Sequence, residues 1–139
     1  MIAARERFHL IGVGNEAVDA AGQAVFDEFH LLKGDNIFSK LNELKEICEK
    51  NGAAVLYMPS IGMDLTTIFA SNSRLAPVQV IALGHPATTH SDFIEYVIVE
   101  DDYVGSEKCF SEQLLRFTKR CSTLCAFSAC AETRRVSLT

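Results

Sequence analysis

The chain has 139 residues, 48% of them hydrophobic and 22% charged, with a formal net charge of −5. That length and balance suit one folded domain with its own core and exclude a wholly disordered chain. No Lys/Arg cluster precedes the tail, which excludes a nucleic-acid surface; no apolar run reaches membrane-spanning length, and Arg5, Glu6 and Arg7 stand where a signal peptide needs apolar residues, so a cytoplasmic protein is expected.

Phe8, Leu10, Ile11 and Val13 make a short apolar run that ends in Gly12-Val-Gly14 and reads as a first strand with its exit turn. Asn15 is placed to cap a helix whose apolar face is Ala17, Val18, Ala21, Ala24 and Val25. Residues 26–32 fit the end of that helix or a second strand, and the turn residues Lys33-Gly34-Asp35 favour the strand. The next helix is predicted from a cap at Asp35 or Asn36 and from Ile37, Phe38, Leu41, Leu44 and Cys48 at helical spacing, closed by Asn51-Gly52. Residues 53–58 read as a buried strand, residues 59–62 as its exit loop, and Asp64 as the cap of a helix running to about Asn72.

Residues 78–83 form a near-continuous apolar run, as in a strand covered on both faces of a parallel sheet. Gly84 ends it and opens a loop, Gly84 to His90, at the strand's expected carboxyl end, where open parallel sheets bind ligands. Residues 96–99 are a further apolar run, the acidic Glu100-Asp101-Asp102 reads as a solvated face, and Ser106 is a predicted start for a helix through Leu114 and Leu115. Strands alternating with helices imply an α/β fold with a Rossmann-like parallel sheet over residues 1–117. Residues 118–139 break the pattern. Lys119, Arg120, Arg134 and Arg135 against Glu132 give them a charge of +3, no helix or strand period is evident, and three of the five cysteines lie there. Cys121, Cys125 and Cys130 offer three thiols and no nearby histidine, so neither a zinc site nor a disulfide framework is expected.

Three stretches could carry chemistry. Gly12-Val-Gly14-Asn-Glu-Ala17 fits the dinucleotide fingerprint, with Asp35 at about the distance of a ribose-binding carboxylate; against it, Glu16 brings negative charge where a phosphate would bind. His85 and His90 could move a proton or hydrogen-bond a phosphate, whereas Pro86 denies their spacing the helix that a shared metal would need. Thr88 and Thr89 could bind a sugar or phosphate, or simply stabilise the loop. Ser60, in the residue 59–64 loop, lacks the context of a hydrolase nucleophile, and His9 and His30 read as core or edge residues.

The motifs also carry a family resemblance. Arg74-Leu-Ala-Pro-Val-Gln-Val-Ile-Ala-Leu-Gly-His-Pro-Ala-Thr-Thr-His90, followed by Asp92-Phe-Ile-Glu-Tyr96, resembles the bacterial cytoplasmic glycosyltransferases that modify high-molecular-weight adhesins, relatives of the O-linked N-acetylglucosamine transferases. Tyr57-Met-Pro-Ser-Ile-Gly-Met63, Asp102-Tyr-Val-Gly105 and Cys109-Phe-Ser-Glu112 are similar to the same family, so the likeness covers roughly residues 3–117 in order. The resemblance implies the amino-terminal Rossmann-like half of a GT-B catalytic module, in an enzyme that moves glucose or galactose from UDP-glucose or UDP-galactose to asparagine of adhesin Asn-x-Ser/Thr sequons, with no cofactor and no metal. It assigns His85 and His90 as the catalytic candidates facing the inter-domain cleft, and Gly62, Gly84, Pro86, Thr88 and Thr89 as substrate-binding candidates. It further implies that the chain alone is inactive. Residues 118–139 are expected to be out-of-frame sequence, because residues 117–130 can be encoded by codons that, with one base removed, read as a family-like continuation. The competing readings are a Rossmann dinucleotide-binding protein and a non-catalytic remnant.

Overall fold

The computed structural model describes residues 5–59, 61–82 and 88–117. They fall into two compact units, one up to Leu32 and one spanning Lys33–Phe117. The α/β expectation holds: every strand pair among the described residues is parallel.

In the first unit, β1 (Ile11–Gly14) pairs with β2 (Glu28–Leu31), Ile11 opposite Glu28 and Gly14 opposite Leu31. The connection contains only a one-turn helix, α1 (Ala20–Gln23), capped by Asp19, whose side chain accepts from the Gly22 amide at 2.8 Å. The longer helix expected from Asn15 is therefore corrected. Asn15 instead accepts from the Ala17 amide at 3.0 Å in a local turn, and a glycine at 22 weakens any helix drawn through it. Asp27 closes the unit: it accepts from the Leu10 amide at 2.8 Å and from the Arg5 guanidinium at 2.9 and 2.7 Å. These bonds, the Leu10 amide first, hold its carboxyl below the ordinary value. His9 is largely exposed, with Nε2 3.3 Å from Glu28, while His30 Nε2 lies 3.5 Å from Glu28 without hydrogen-bond geometry.

The glycines of the dinucleotide-like turn have a packing role. A Cβ on Gly12 would stand 2.5 Å from Phe26 and 2.6 Å from Phe29, whose rings pack with centroids 5.8 Å apart. Gly12→Ala is expected to destabilise the protein by about 1 to 3 kcal/mol through overpacking. Thermal unfolding by circular dichroism checks this, and an unshifted melting point would contradict the packing role.

In the second unit, α2 (Ile37–Lys50) starts at Asn36, whose side chain accepts from the Ser39 amide at 2.9 Å. It ends in a Schellman turn: Gly52 adopts φ 58°, its amide donates to the Glu49 carbonyl at 3.2 Å, and the Ala53 amide donates to Cys48 at 2.9 Å. β3 (Val55–Met58), α3 (Leu65–Ser71) and β4 (Val78–Ala82) complete a parallel unit with a helical crossover, α3 being capped by Asp64 as expected. β5 (Tyr96–Glu100) pairs with β4, and β6 (Gln113–Phe117) with β5, giving the order β3-β4-β5-β6. The helix expected from Ser106 is thus corrected: residues 107–109 make one 3-10 turn and residues 113–117 are a strand. The open edge of β5 supplies a ladder of backbone partners from Tyr96 to Glu100, and that pairing overrides local preference.

Met58, Ile81 and Val97 face one another across neighbouring strands, and all three are buried. Leu44 and Cys48 of α2 and Ala70 of α3 are buried with them. At the amino edge, the fully buried Gln79 accepts from the Leu75 and Ala76 amides at 2.8 and 3.3 Å and donates to the Ser73 and Phe93 carbonyls at 3.1 and 2.9 Å. Beside it Glu95 accepts the Gln79 amide at 2.7 Å and pairs with Arg74 at 2.7 Å, and the Arg74 guanidinium lies 5.5 Å from the Phe93 ring centre.

Candidate functional site

The carboxyl ends of the strands are where a parallel sheet meets its ligands. β3 ends at Met58 and enters a turn in which Ile61 is buried and Gly62 is exposed with φ 81°, a left-handed conformation that suits glycine. β5 ends in the acidic 3-10 turn Asp101–Tyr103. Arg116 of β6 reaches Asp101 at 3.2 Å and Glu107 at 2.8 Å, so the expected solvated acidic face is partly neutralised from the neighbouring strand. His85, Gly84 and Pro86, which follow β4 directly in sequence, lie outside the described residues, as do residues 118–139 with their thiols.

Thr88, Thr89 and His90 are placed differently from the loop expected at the carboxyl end. They lie at the opposite, amino edge of the sheet, because their partner Glu112 immediately precedes β6. The connection leaves β4 at Ala82 and must return to start the parallel strand β5 at Tyr96, and parallel pairing requires that return. The Thr88 hydroxyl donates to Glu112 Oε2 at 2.8 Å and accepts from the Ser111 amide at 3.0 Å and the His90 amide at 3.3 Å. Thr89 donates to Glu112 Oε1 through its amide, at 2.7 Å, and through its hydroxyl. The same hydroxyl accepts from the Ser91 amide at 3.1 Å. The buried Ser91 hydroxyl in turn donates to the Ser71 carbonyl at the end of α3. His90 is exposed and adopts φ 53°, left-handed for a non-glycine residue.

Glu112 has only 6% of its surface exposed. Burial alone would raise its carboxyl, but the Thr89 and Thr88 hydroxyls and the Thr89 amide outweigh that and hold it below the ordinary value. A native value below the unfolded one contributes stability that is present above about pH 4.3 and is lost as pH falls through the lowered native value. Glu112→Gln is therefore expected to flatten the loss of stability on acidification over that window. Urea denaturation at a series of pH values checks this; an unchanged acid limb would show that Glu112 does not carry it.

The sequence reading singled out the threonines but not the carboxylate that organises them. The one available signal was Glu112 within the Cys109-Phe-Ser-Glu112 motif, and nothing in a single glutamate announces burial. Among the described residues no group of three or more His, Cys, Asp or Glu side chains is arranged to hold a metal ion, and no helix is long and apolar enough to cross a membrane.

The parallel α/β arrangement of the described residues has a counterpart among solved structures. The chain superposes on a mutant of the O-GlcNAc transferase of Thermobaculum terrenum with a TM-score of 0.61 and 26% identity, over 76% of this chain and 21% of that one. In sequence it is 75% identical over 119 residues to the UDP-glucose:protein N-beta-glucosyltransferase of Actinobacillus pleuropneumoniae serotype 5b, and 75% identical over 112 residues to the protein of the same description from serotype 7. The resemblance read from the motifs is borne out. The matches take in 86% and 81% of this chain but only 19% and 18% of those relatives, so the chain corresponds to about a fifth of their length. No family model matches it.

Proposed function

We propose that the chain is one Rossmann-like half, the amino-terminal one, of a GT-B module from a UDP-glucose-dependent protein glucosyltransferase. The observation that carries the reading is the 75% identity over 119 residues to an enzyme described as a UDP-glucose:protein N-beta-glucosyltransferase. Glucose from UDP-glucose is the favoured donor sugar over galactose, because both relatives are described by glucose. The proposed acceptor is asparagine in the Asn-x-Ser/Thr sequons of an adhesin polypeptide, in the cytoplasm, with no metal or other cofactor. In this reading His85, just beyond β4, helps orient the sugar or the acceptor amide, and Gly62, Gly84 and Pro86 shape the cleft beside it. Thr88 and Thr89 serve that connection from the amino edge.

A GT-B cleft is built by two halves, and transfer depends on holding donor and acceptor together in one geometry. The 139 residues alone therefore turn over no donor. An open aromatic pair is consistent with a segment that belongs to a larger body: Phe38 and Phe69 pack at 6.1 Å while 70% and 43% exposed.

The dinucleotide alternative is disfavoured by the Phe26 and Phe29 rings that fill the space over Gly12, and by α1, too short to present a phosphate site. Calorimetric titration of the chain with NAD and with UDP-glucose, beside an assay for glucose transfer to a sequon peptide, separates the readings. Heat of NAD binding at micromolar concentration would replace the transferase reading, and transfer by the chain alone would contradict the half-module.

A further inference from the structure

We propose that the face of the β3-β4-β5-β6 sheet carrying Val55, Tyr57, Ile98 and Leu115 is a docking surface for an amphipathic helix, supplied by the part of the transferase polypeptide that lies outside the matched stretch. The inference rests on the transferase reading and assigns a surface that the reading leaves unassigned.

Strand register sorts the side chains of this sheet onto two faces, because partners across a ladder point the same way and successive residues alternate. On the first face Met58, Ile81, Val97 and Val99 are buried, together with Leu44 and Cys48 of α2 and Ala70 of α3. The second face holds Tyr57, Val80 and Tyr96 in one row and Ile98 beside Leu115 in the next, with Val55 two residues before Tyr57 on β3. That face is also apolar, yet Val55 is 56% exposed, Tyr57 42% and Leu115 44%; Tyr96 and Ile98 are part-exposed, and the central Val80 is covered. Gln113 and Glu100 stand at its margin. An all-parallel sheet is found with helices over both faces. The connections into β5 and β6 supply none here: among the described residues they hold one-turn 3-10 segments at Asp101–Tyr103 and Glu107–Cys109 and no α-helix. Contiguous open apolar surface of this kind marks an interaction site. A two-fold axis would bring a second copy in with this same sheet face, and parallel sheets take helices, not sheets, as their cover. A helix with one apolar stripe fits. The chain corresponds to about a fifth of the length of its relatives, so most of such a polypeptide lies outside it and can provide that helix.

The test compares the 139-residue chain with a complete enzyme, the A. pleuropneumoniae glucosyltransferase in which the matched stretch is replaced by that of this chain. Val55→Cys and Leu115→Cys are placed in each, folding is checked by cooperative melting, and the rate of reaction with N-ethylmaleimide is read by mass spectrometry on the peptide carrying the new thiol. The same variant in urea gives the unprotected rate. The expected result is ready labelling in the chain alone and labelling at least about tenfold slower in the chimera, as covered sites react only through opening. Equal rates in the chain and in a folded chimera overturn the proposal. Slow labelling in the chain alone overturns it as well, in favour of a second copy if light scattering gives the mass of a dimer and of a cover within the chain if it gives a monomer. If either substitution prevents folding, Tyr57→Cys takes its place in the same readout. An unsubstituted chimera that does not fold overturns the proposal, because the face and the cover offered to it then do not match. Glucose transfer to a sequon peptide is measured separately: protected thiols without transfer count against the transferase reading and not against the surface, so the two failures are distinguishable.

Discussion

Gln79→Leu is expected to abolish cooperative unfolding of the Lys33–Phe117 unit. The side chain is fully buried, and its amide satisfies the Leu75 and Ala76 amides and the Ser73 and Phe93 carbonyls. Leucine keeps the volume and removes all four partners. A buried polar group left without its partner costs about 1 to 3 kcal/mol, so even with partial relaxation the loss is on the order of 4 kcal/mol or more. Small domains are stable by only about 5 to 15 kcal/mol in total. Gln79 also joins two turns distant in sequence, residues 73–76 and the one before β5, so its loss loosens the entry to both central strands. Urea denaturation followed by circular dichroism measures the effect, and a variant within about 1 kcal/mol of the parent would show that the knot is dispensable.

Ile81→Ala is expected to cost about 3 to 5 kcal/mol, and Ile81→Val only about 1. Ile81 is 1% exposed in the middle of β4, with Met58 of β3 opposite on one side and Val97 of β5 on the other, themselves 4% and 1% exposed. A cavity there is enclosed by two strands that are held in register by their own ladders, so the walls cannot collapse inward. Equilibrium denaturation of the two variants checks the pair of values. Equal losses for Ala and Val would mean that this row is not the centre of the core.

β4 was legible because a strand buried on both faces reads as an apolar run, as at residues 78–82, and β5 because Val97 and Val99 are buried within the apolar run 96–99. α2 was legible for a different reason, since Asn36, Gly52 and the apolar positions between them are each diagnostic of a helix start, stop or buried face. Gln113–Phe117 was not legible. Gln-Leu-Leu-Arg-Phe carries no period of its own, and its strand form comes from the free edge of β5. The Gly12-Val-Gly14 turn was legible as a tight turn and misleading as a fingerprint, because the reason for Gly12 is a pair of phenylalanine rings at positions 26 and 29. The candidate site was legible in part. Thr88 and Thr89 were noticed as hydroxyls, but their place at the amino edge follows from the return of the connection to a parallel strand, and Glu112 becomes visible only once that return is built.

Transfer by the unsubstituted chimera tests the central claim most directly. The matched stretch of this chain replaces its counterpart in the complete A. pleuropneumoniae glucosyltransferase, and a sequon peptide is incubated with it and UDP-glucose. The predicted result is one hexose on the sequon asparagine, read by mass spectrometry, at a kcat within about tenfold of the parent enzyme, a barrier difference of about 1.4 kcal/mol. A folded chimera that leaves the peptide unmodified would contradict the proposed assignment of this chain to the GT-B module of a protein glucosyltransferase.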